Sequence, residues 1–390
     1  MKDALSIGIV CFPSLGGSGI IATELASGLS RLGHRVHVIS SQTPSRPLPA
    51  CERLFLHEVP VSAPPPLQHA PYALALASSL AEIATDHSLD LVHVHYAIPH
   101  AVSAYLARQV LGAGAPRLVT TLHGTDVTHL GSDPQFRPVV RLAVAQSDGV
   151  TVPSAYLRAE AYRRLGLPGD LSIEVIPNFV DTAHFAPAPV RDRSRFDALF
   201  ASAGSDPADR GAPVLFHVSS FRAVKRVVDL VEVLATVRAR TRARLMLVGD
   251  GPERGRLMQR ARELGVAGSV CAVGTHAEFA DYLRHADVFV MPSENESFGV
   301  AALEALSCGV PVVAYRVGGI PEVVSEDAGI LVPPFDVAAL GEAAAAIVTD
   351  EGRREALGGA ARARAETYFR REPAIERYDA YYRRILAEAR

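Results

Sequence analysis

The sequence predicts an α/β protein made of two doubly wound parallel-sheet domains that face a central cleft. Three observations predict it. Short apolar, β-branched runs alternate with longer helical stretches along most of the chain, as in strand–helix–strand units on a parallel sheet. The alternation breaks once, between about Ala186 and Pro213, and then restarts. The chain has 390 residues, 48% of them hydrophobic and 21% charged, which suits two ordinary folded domains and leaves little room for bulk disorder.

In the first half the expected strands are Leu5–Phe12, Arg35–Ser40, Leu54–Val59, Leu89–His95, Arg117–Leu122, Gly149–Val152 and Ile173–Ile176. Several are almost wholly apolar, as strands covered on both faces tend to be. Helical patterns lie between them at Gly19–Leu32, Tyr72–His87, Ala101–Leu111 and Ser154–Leu165. The run APAPVRDRSRFDALFASAGSDPADRGAP then loses the rhythm, and its Pro, Ala, Gly, Asp and Arg content reads as a linker carrying a short helix. Strands resume at Val214–Ser219, Arg244–Val248, Ser269–Val273, Val288–Met291, Val312–Tyr315 and Ile330–Val332, with helices such as Val227–Thr241 and Phe298–Ser307. The tail from Arg353 is helical and carries Tyr368, Tyr378, Tyr381 and Tyr382. The expected division is therefore 1–185, a linker at 186–213, 214–365, and a C-terminal helix at 366–390. In such sheets ligands sit where the carboxyl ends of strands enter loops, and two facing sheets put the site in a cleft.

The net charge of −3 and isoelectric point near 6.5 argue against a nucleic-acid binder, which would show a basic domain. Cys11, Cys51, Cys271 and Cys308 are too far apart for a zinc or redox pair and fit a reducing compartment. The start MKDALSIGIV runs straight into a strand, with no apolar leader segment. No apolar run of about 18 residues is present. A cytoplasmic protein with no membrane or nucleic-acid partner is expected, and a homo-oligomer is compatible with the sequence.

The first loop contains Gly17-Ser-Gly19-Ile-Ile-Ala22, which fits G-x-G-x-x-A between a strand and a helix. A dinucleotide site also needs an acid at the end of the next strand to hold a ribose hydroxyl. That strand ends Val-Ile-Ser-Ser-Gln, with no acid through Arg46. A glycine turn and an anion site for something other than a dinucleotide both remain. His93, His95 and His100 follow one strand, and His123-Gly124-Thr125-Asp126 closes the next. A metal site from His93, His95 and His123 is conceivable, but histidines bonded within a core are the commoner outcome. A functional role is favoured for His123, because Gly124 lets the chain turn tightly beside it.

The chain has no Asp-x-Asp pair to hold a nucleotide diphosphate through a divalent cation. A diphosphate would instead need cations from the protein. Arg222 and Lys225 supply them, in or beside the first turn of a helix, where two cations oppose the dipole unless an anion joins them. A solvated basic turn is the plainer alternative. The strongest motif is Pro292-Ser-Glu-Asn-Glu-Ser-Phe-Gly-Val-Ala-Ala-Leu-Glu-Ala. Glu296 sits before a helix and Glu304 two turns in, while the backbone N–H groups of Phe298, Gly299 and Val300 can hold a phosphate. Taken singly, either glutamate could be a helix cap or a solvated residue. Gly318-Gly319-Ile-Pro-Glu322 is a further glycine turn in the same half.

Together Glu296 and Glu304, Arg222 and Lys225, Gly249-Asp-Gly-Pro252 and Cys308-Gly-Val-Pro311 resemble the retaining GT-B glycosyltransferases of family 4. The resemblance runs over essentially the whole chain except the segment near Arg191–Arg210. It implies the GT-B architecture of two Rossmann-like domains. Gly16-Gly-Ser-Gly19, His93-Val-His-Tyr-Ala-Ile-Pro-His100, Thr121-Leu-His-Gly-Thr-Asp126 and Ile176-Pro-Asn-Phe179 are similar to the branch that moves N-acetylglucosamine from UDP-GlcNAc to the hydroxyl of L-malate. That reaction opens bacillithiol biosynthesis.

The resemblance implies a donor bound mainly by the second half, malate docked from the first, retention at the anomeric carbon, and no metal or other cofactor. It implies catalytic roles for His123, Arg222, Lys225 and Glu296. Gly16, Gly17, Arg222, Lys225, Glu296, Ser297, Phe298, Gly299, Val300 and Glu304 would bind the donor. Ser18, Tyr96, Thr125 and Asn178, on first-half loops, are the candidates for malate. The C-terminal helix would cross back to the first domain, as in related proteins. Asp126 is the one nearby carboxylate that a double displacement could use. The family's favoured account is front-face attack, in which the leaving phosphate takes the acceptor's proton. Another sugar donor, or another small acceptor such as an inositol phosphate, is the nearest alternative. A lipid acceptor fits less well, since Gly19–Leu32 and Tyr72–His87 are not basic. A nucleotide-sugar-binding protein with a dead site fits poorly with an intact Arg222, Lys225, Glu296 and His123.

Overall fold

The computed structural model describes residues 3–13, 16–44, 48–63, 69–276 and 278–388. Residues 14 and 15 of the first glycine loop and the last two of the tail lie outside them. The chain forms two compact units: Met1–Asn178 together with Glu372–Arg390, and Phe179–Arg371. No helix among the described residues is long and apolar enough to cross a membrane.

The first unit is built on a seven-stranded sheet. Its strands are β1 (Ser6–Val10), β2 (Arg35–Ser40), β3 (Leu54–Glu58), β4 (Leu91–His95), β5 (Arg117–Thr121), β6 (Gly149–Val152) and β7 (Ile173–Val175). The order is β3-β2-β1-β4-β5-β6-β7, with every pair parallel. Chain direction across the sheet reverses between β1 and β4, and loops leaving these two strands open onto the crevice such sheets use for ligands. Local signals set the helix ends. Ser154 caps the helix Ala155–Leu165 by accepting from Leu157 N at 3.0 Å, and Gly166 ends it in the left-handed conformation.

The C-terminal helix Arg371–Ala387 packs on this sheet. Tyr382 Oη lies 2.6 Å from His93 Nδ1. Ile375 lies over Gly28, where a Cβ would come within 1.9 Å of its Cδ1, so the approach requires glycine. Tyr378, Tyr381 and Tyr382 are buried, which accounts for three of the tail's tyrosines, while Tyr368 is exposed.

The second unit has six strands: β8 (Val214–Val218), β9 (Arg244–Val248), β10 (Val270–Ala272), β11 (Val288–Met291), β12 (Val312–Tyr315) and β13 (Gly329–Val332). Their order is β10-β9-β8-β11-β12-β13, again all parallel, with the reversal between β8 and β11. Apolar side chains cover both faces, Phe216, Met246 and Phe289 on one and Leu215, Leu245 and Val290 on the other.

Two expectations about organisation differ from the structure. Residues 186–213 are part of the second unit rather than a linker, and the units divide after Asn178 and again after Arg371. The cause is a small core that composition hides. Phe196 and Phe200 are buried, Arg244 lies over the Phe200 ring, and the Arg244 Nη1 donates to Asp197 Oδ1 at 2.6 Å. Arg193 likewise donates to the buried Asp287 at 2.6 Å. The tail is also two helices, Glu351–Tyr368 and Arg371–Ala387. They separate at Phe369, whose ring packs on Phe298 and whose carbonyl accepts from Val180 N.

Candidate functional site

In the second unit the loops leaving β8 and β11, neighbours at the reversal, carry the cationic and acidic motifs. Arg222 precedes a single 3-10 turn, Ala223–Lys225, and the α-helix starts only at Asp229. The cations therefore stand ahead of the helix rather than in its first turn. That turn holds Asp229, which pairs with Arg226 at 2.8 Å and fits the helix dipole. Lys225 Nζ donates to Glu296 Oε1 at 2.5 Å, and Val224 O accepts from Glu294 N at 2.9 Å, so the two loops are tied by side chain and backbone. Arg222 is exposed, with its Nε held by Ser220 Oγ at 3.2 Å.

Two glycine turns fix these loops. Gly319 N donates to Glu296 O, and a Cβ at Gly318 would meet Glu296 O at 1.9 Å. A Cβ at Gly249 would meet Ser219 O at the same 1.9 Å. All three backbones thus approach more closely than any side chain allows.

Gly299 sits at a φ of 99° and starts the helix Val300–Ser307, two residues later than expected. Its N-cap residue, Gly299, supplies no side-chain cap, and the first N–H groups of such a helix can donate to an anion. Phe298 is buried against Phe369, so only its backbone is available to a ligand. Ser297 is half-buried, and Glu304 is 4% exposed on the same short helix.

His217, which the sequence reading passed over, closes β8. Its Nδ1 lies 2.8 Å from Val290 O and its Nε2 2.8 Å from Ser219 Oγ. Burial lowers it to about 4, with Lys225 pushing the same way and Glu296 opposing. It is a neutral strut under the cationic loop. A histidine directly before Val-Ser-Ser-Phe-Arg was the available signal.

In the first unit the loops after β1, β4 and β5 meet. Gly16 precedes the helix Gly17–Arg31 in an extended conformation and makes no side-chain cap. Ser18 Oγ donates to Tyr96 Oη at 3.3 Å. Tyr96 holds a φ of 84°, and its ring stands 5.2 Å from that of His123 and 5.4 Å from that of Phe12. His123 Nε2 lies 2.8 Å from His95 Nδ1, and the two rings stack. Burial lowers His123 to about 3, and burial with the neighbouring histidines holds His95 well below the usual imidazole value, so both are neutral imidazoles at neutral pH. Thr125 is exposed on the turn after His123, while Asn178, the last residue of the unit's first segment, is buried.

Asp126 locks this turn. Its Oδ1 accepts from His123 N at 3.1 Å and Gly124 N at 2.9 Å, and its Oδ2 from Ala97 N at 3.3 Å. Burial raises it to about 6, against the pull of those backbone donors. A fully buried carboxylate committed to three N–H groups is a structural brace rather than a displacing nucleophile. His93 is equally committed, with Tyr382 Oη on Nδ1 and Thr121 Oγ1 on Nε2 at 2.7 Å. Both its nitrogens are used, which removes it as a metal ligand beside His95 and His123.

The structure thus brings Ser18, Tyr96 and His123 together in one unit and Lys225, Glu296 and the Gly299 helix start in the other. Comparison with known proteins agrees with this division. The profile described as Glycosyltransferase Family 4 matches residues 15–184, and that described as Glycosyl transferases group 1 matches residues 203–364. The chain is 39% identical over 385 residues to the N-acetyl-alpha-D-glucosaminyl L-malate synthase of Bacillus anthracis, covering 98% of both chains. It is 31% identical to the D-inositol 3-phosphate glycosyltransferase of Kineococcus radiotolerans, covering 90% of this chain and 87% of that one. Among solved structures, a sucrose-phosphate synthase from Thermosynechococcus elongatus superposes with a TM-score of 0.79 at 23% identity, over 99% and 100% of the two chains. Anabaena HepE, solved in complex with UDP-glucose, superposes with a TM-score of 0.76 at 21% identity, over 97% and 100%. These likenesses show the GT-B fold.

Proposed function

Since the chain belongs to glycosyltransferase family 4, we propose that it transfers N-acetylglucosamine from UDP-GlcNAc to the hydroxyl of L-malate, releasing UDP and opening bacillithiol biosynthesis. The observation that carries this reading is the 39% identity to the Bacillus anthracis malate synthase across 98% of both chains. The Kineococcus inositol-phosphate enzyme, at 31%, supports a second reading in which another small hydroxylated anion is the acceptor.

The donor chemistry follows from the second unit. Arg222 and Lys225 supply positive charge to the leaving diphosphate, and the glycine-led helix start at Phe298, Gly299 and Val300 offers N–H groups to its oxygens. Glu296, held by Lys225, takes the sugar hydroxyls, with Ser297 beside it, and Glu304 takes the ribose. With two protein cations and no Asp-x-Asp motif, the transfer requires no metal. Gly16 and Gly17 open a second helix start to an anionic group.

In the first unit Ser18, Tyr96, Thr125 and Asn178 donate hydrogen bonds to malate. His123, neutral across the physiological range, contacts the sugar as a hydrogen-bonding group, not as an acid. The bond between the anomeric carbon and the UDP oxygen breaks while the malate hydroxyl oxygen bonds to that carbon on the same face. The malate proton passes to the departing phosphate oxygen, so atoms and charge balance without a dedicated base. The test is the product of UDP-GlcNAc and L-malate, read by mass and by the anomeric coupling in NMR. An α-linked GlcNAc-malate is expected. A β-linked product, or none from a folded protein, overturns the reading.

A further inference from the structure

We propose that His37, His57 and His87 form a binding site for one divalent transition-metal ion, with zinc as the fitting class, which staples the outer edge of the first sheet. His37 lies on β2, His57 on β3, and His87 ends the helix Tyr72–Asp86. One ring nitrogen from each can be chosen so that all three lie within 4.8 Å of one another. His37 Nδ1 and His57 Nε2 are 2.9 Å apart, and the His87 ring centroid is 4.3 Å from that of His37 and 5.2 Å from that of His57. Zinc–nitrogen bonds of about 2.0–2.1 Å in a tetrahedral site put ligand nitrogens about 3.4 Å from one another. With one nitrogen from each ring within 4.8 Å of the others, modest ring rotations reach that spacing. His57 and His87 are only half-buried, so their rings can rotate to close on an ion. Three imidazoles leave a fourth position for water and favour zinc, copper or nickel over magnesium or calcium.

A second observation points the same way. His37 is fully buried, yet its Nε2 makes no hydrogen bond. A buried polar atom without a partner is costly and calls for an explanation. An ion held through His37 Nε2 would give that atom its partner, while His37 Nδ1 keeps its contact with His57 Nε2 at 2.9 Å.

The location gives such an ion a purpose. Among the described residues β3 is the edge strand, paired with β2 and half-exposed to exposed along its length. The helix end is already tied to β1, where Ser6 Oγ donates to His87 O at 3.0 Å. An ion would join β2, β3 and that helix end, three segments far apart in sequence, and hold the edge against fraying. None of the three histidines belongs to the proposed donor or acceptor groups, so the staple affects stability rather than transfer.

The test uses the full-length chain, stripped with a chelator and then equilibrated with zinc alone. The expected result is one zinc retained per chain after desalting and a raised melting midpoint. His57→Gln and His87→Gln each lose the retained ion and the rise, with transfer rates within about twofold of the unsubstituted chain. Uptake of less than stoichiometric zinc, or retention of the ion by both variants, overturns the proposal. Cobalt uptake by the unsubstituted chain gives a readout that needs no variant. A stoichiometric, nitrogen-ligated tetrahedral visible band supports the site, and its absence refutes it.

Discussion

Replacing Lys225 by methionine separates the two jobs its ammonium can do. It stands 2.5 Å from Glu296 Oε1, with 19% and 12% of the two side chains exposed. Breaking a fully buried pair costs about 3–5 kcal/mol, and exposed pairs are worth about 0–1. This partly buried one should therefore cost about 1–2 kcal/mol of stability. Loss of one preorganised charge from the leaving diphosphate costs about 3–4 kcal/mol in the transition state, or about 10²–10³-fold in kcat. The assay pairs UDP release with a thermal melt. Lys225→Met should melt a few degrees lower, remain folded and turn over about 10²–10³-fold more slowly. Lys225→Met with Glu296→Gln removes the stranded carboxylate and should recover most of the melting temperature without recovering transfer. A folded Lys225→Met that keeps its rate within about tenfold would refute a role for this cation in the leaving-group step.

Three other outcomes follow from the geometry. Gly318→Ala drives a Cβ toward Glu296 O at 1.9 Å and strains a φ of 55°; it should cost about 1–3 kcal/mol and at least tenfold in kcat, checked by melting and steady-state rates. Tyr96→Phe removes the hydroxyl that meets Ser18 and should raise the malate KM severalfold with little change in the KM for UDP-GlcNAc. Stability should fall in acid. Burial holds His93 and His123 near about 3 and His100 and His217 near about 4, whereas an unfolded histidine titrates near about 6.5. Their contribution is complete above about pH 6.5 and declines below it toward the folded values, by up to about 1.4 kcal/mol per pH unit for each. Asp126, raised to about 6, works in the opposite sense between its folded value and the unfolded one near about 3.9, but it is one group against four. The melting midpoint should drop between pH 6.5 and 5, and a flat profile would contradict the buried neutral histidines.

Local signals carried much of the fold. Arg35–Ser40, Gly149–Val152, Arg244–Val248, Val288–Met291 and Val312–Tyr315 are strands with the bounds their β-branched and apolar content suggested, because strands buried on both faces are mostly apolar. The segment at 186–213 was misleading for a related reason. Phe196 and Phe200 are its core, but they sit among Asp, Arg, Pro and Gly, and the partner that covers Phe200 is Arg244, far along the chain. In the site, Lys225 and Glu296 were each visible as residues of the right chemistry. Their pairing was not, since it depends on β8 lying beside β11 rather than on either motif. The same holds for Gly318 against Glu296 and Gly249 against Ser219, contacts that only the folded sheet creates. Asp126 was visible as a carboxylate near the reacting groups, while its commitment to three backbone N–H groups needed the turn itself.

The central claim is malate-dependent, metal-independent transfer, and UDP release from UDP-GlcNAc tests it most directly. The reaction is run with EDTA present, with and without L-malate. The account predicts rapid UDP release only when malate is added, at a rate the chelator leaves within about twofold at a temperature well below the melt. Release that ignores malate, or that vanishes with EDTA from a protein still folded, would contradict it.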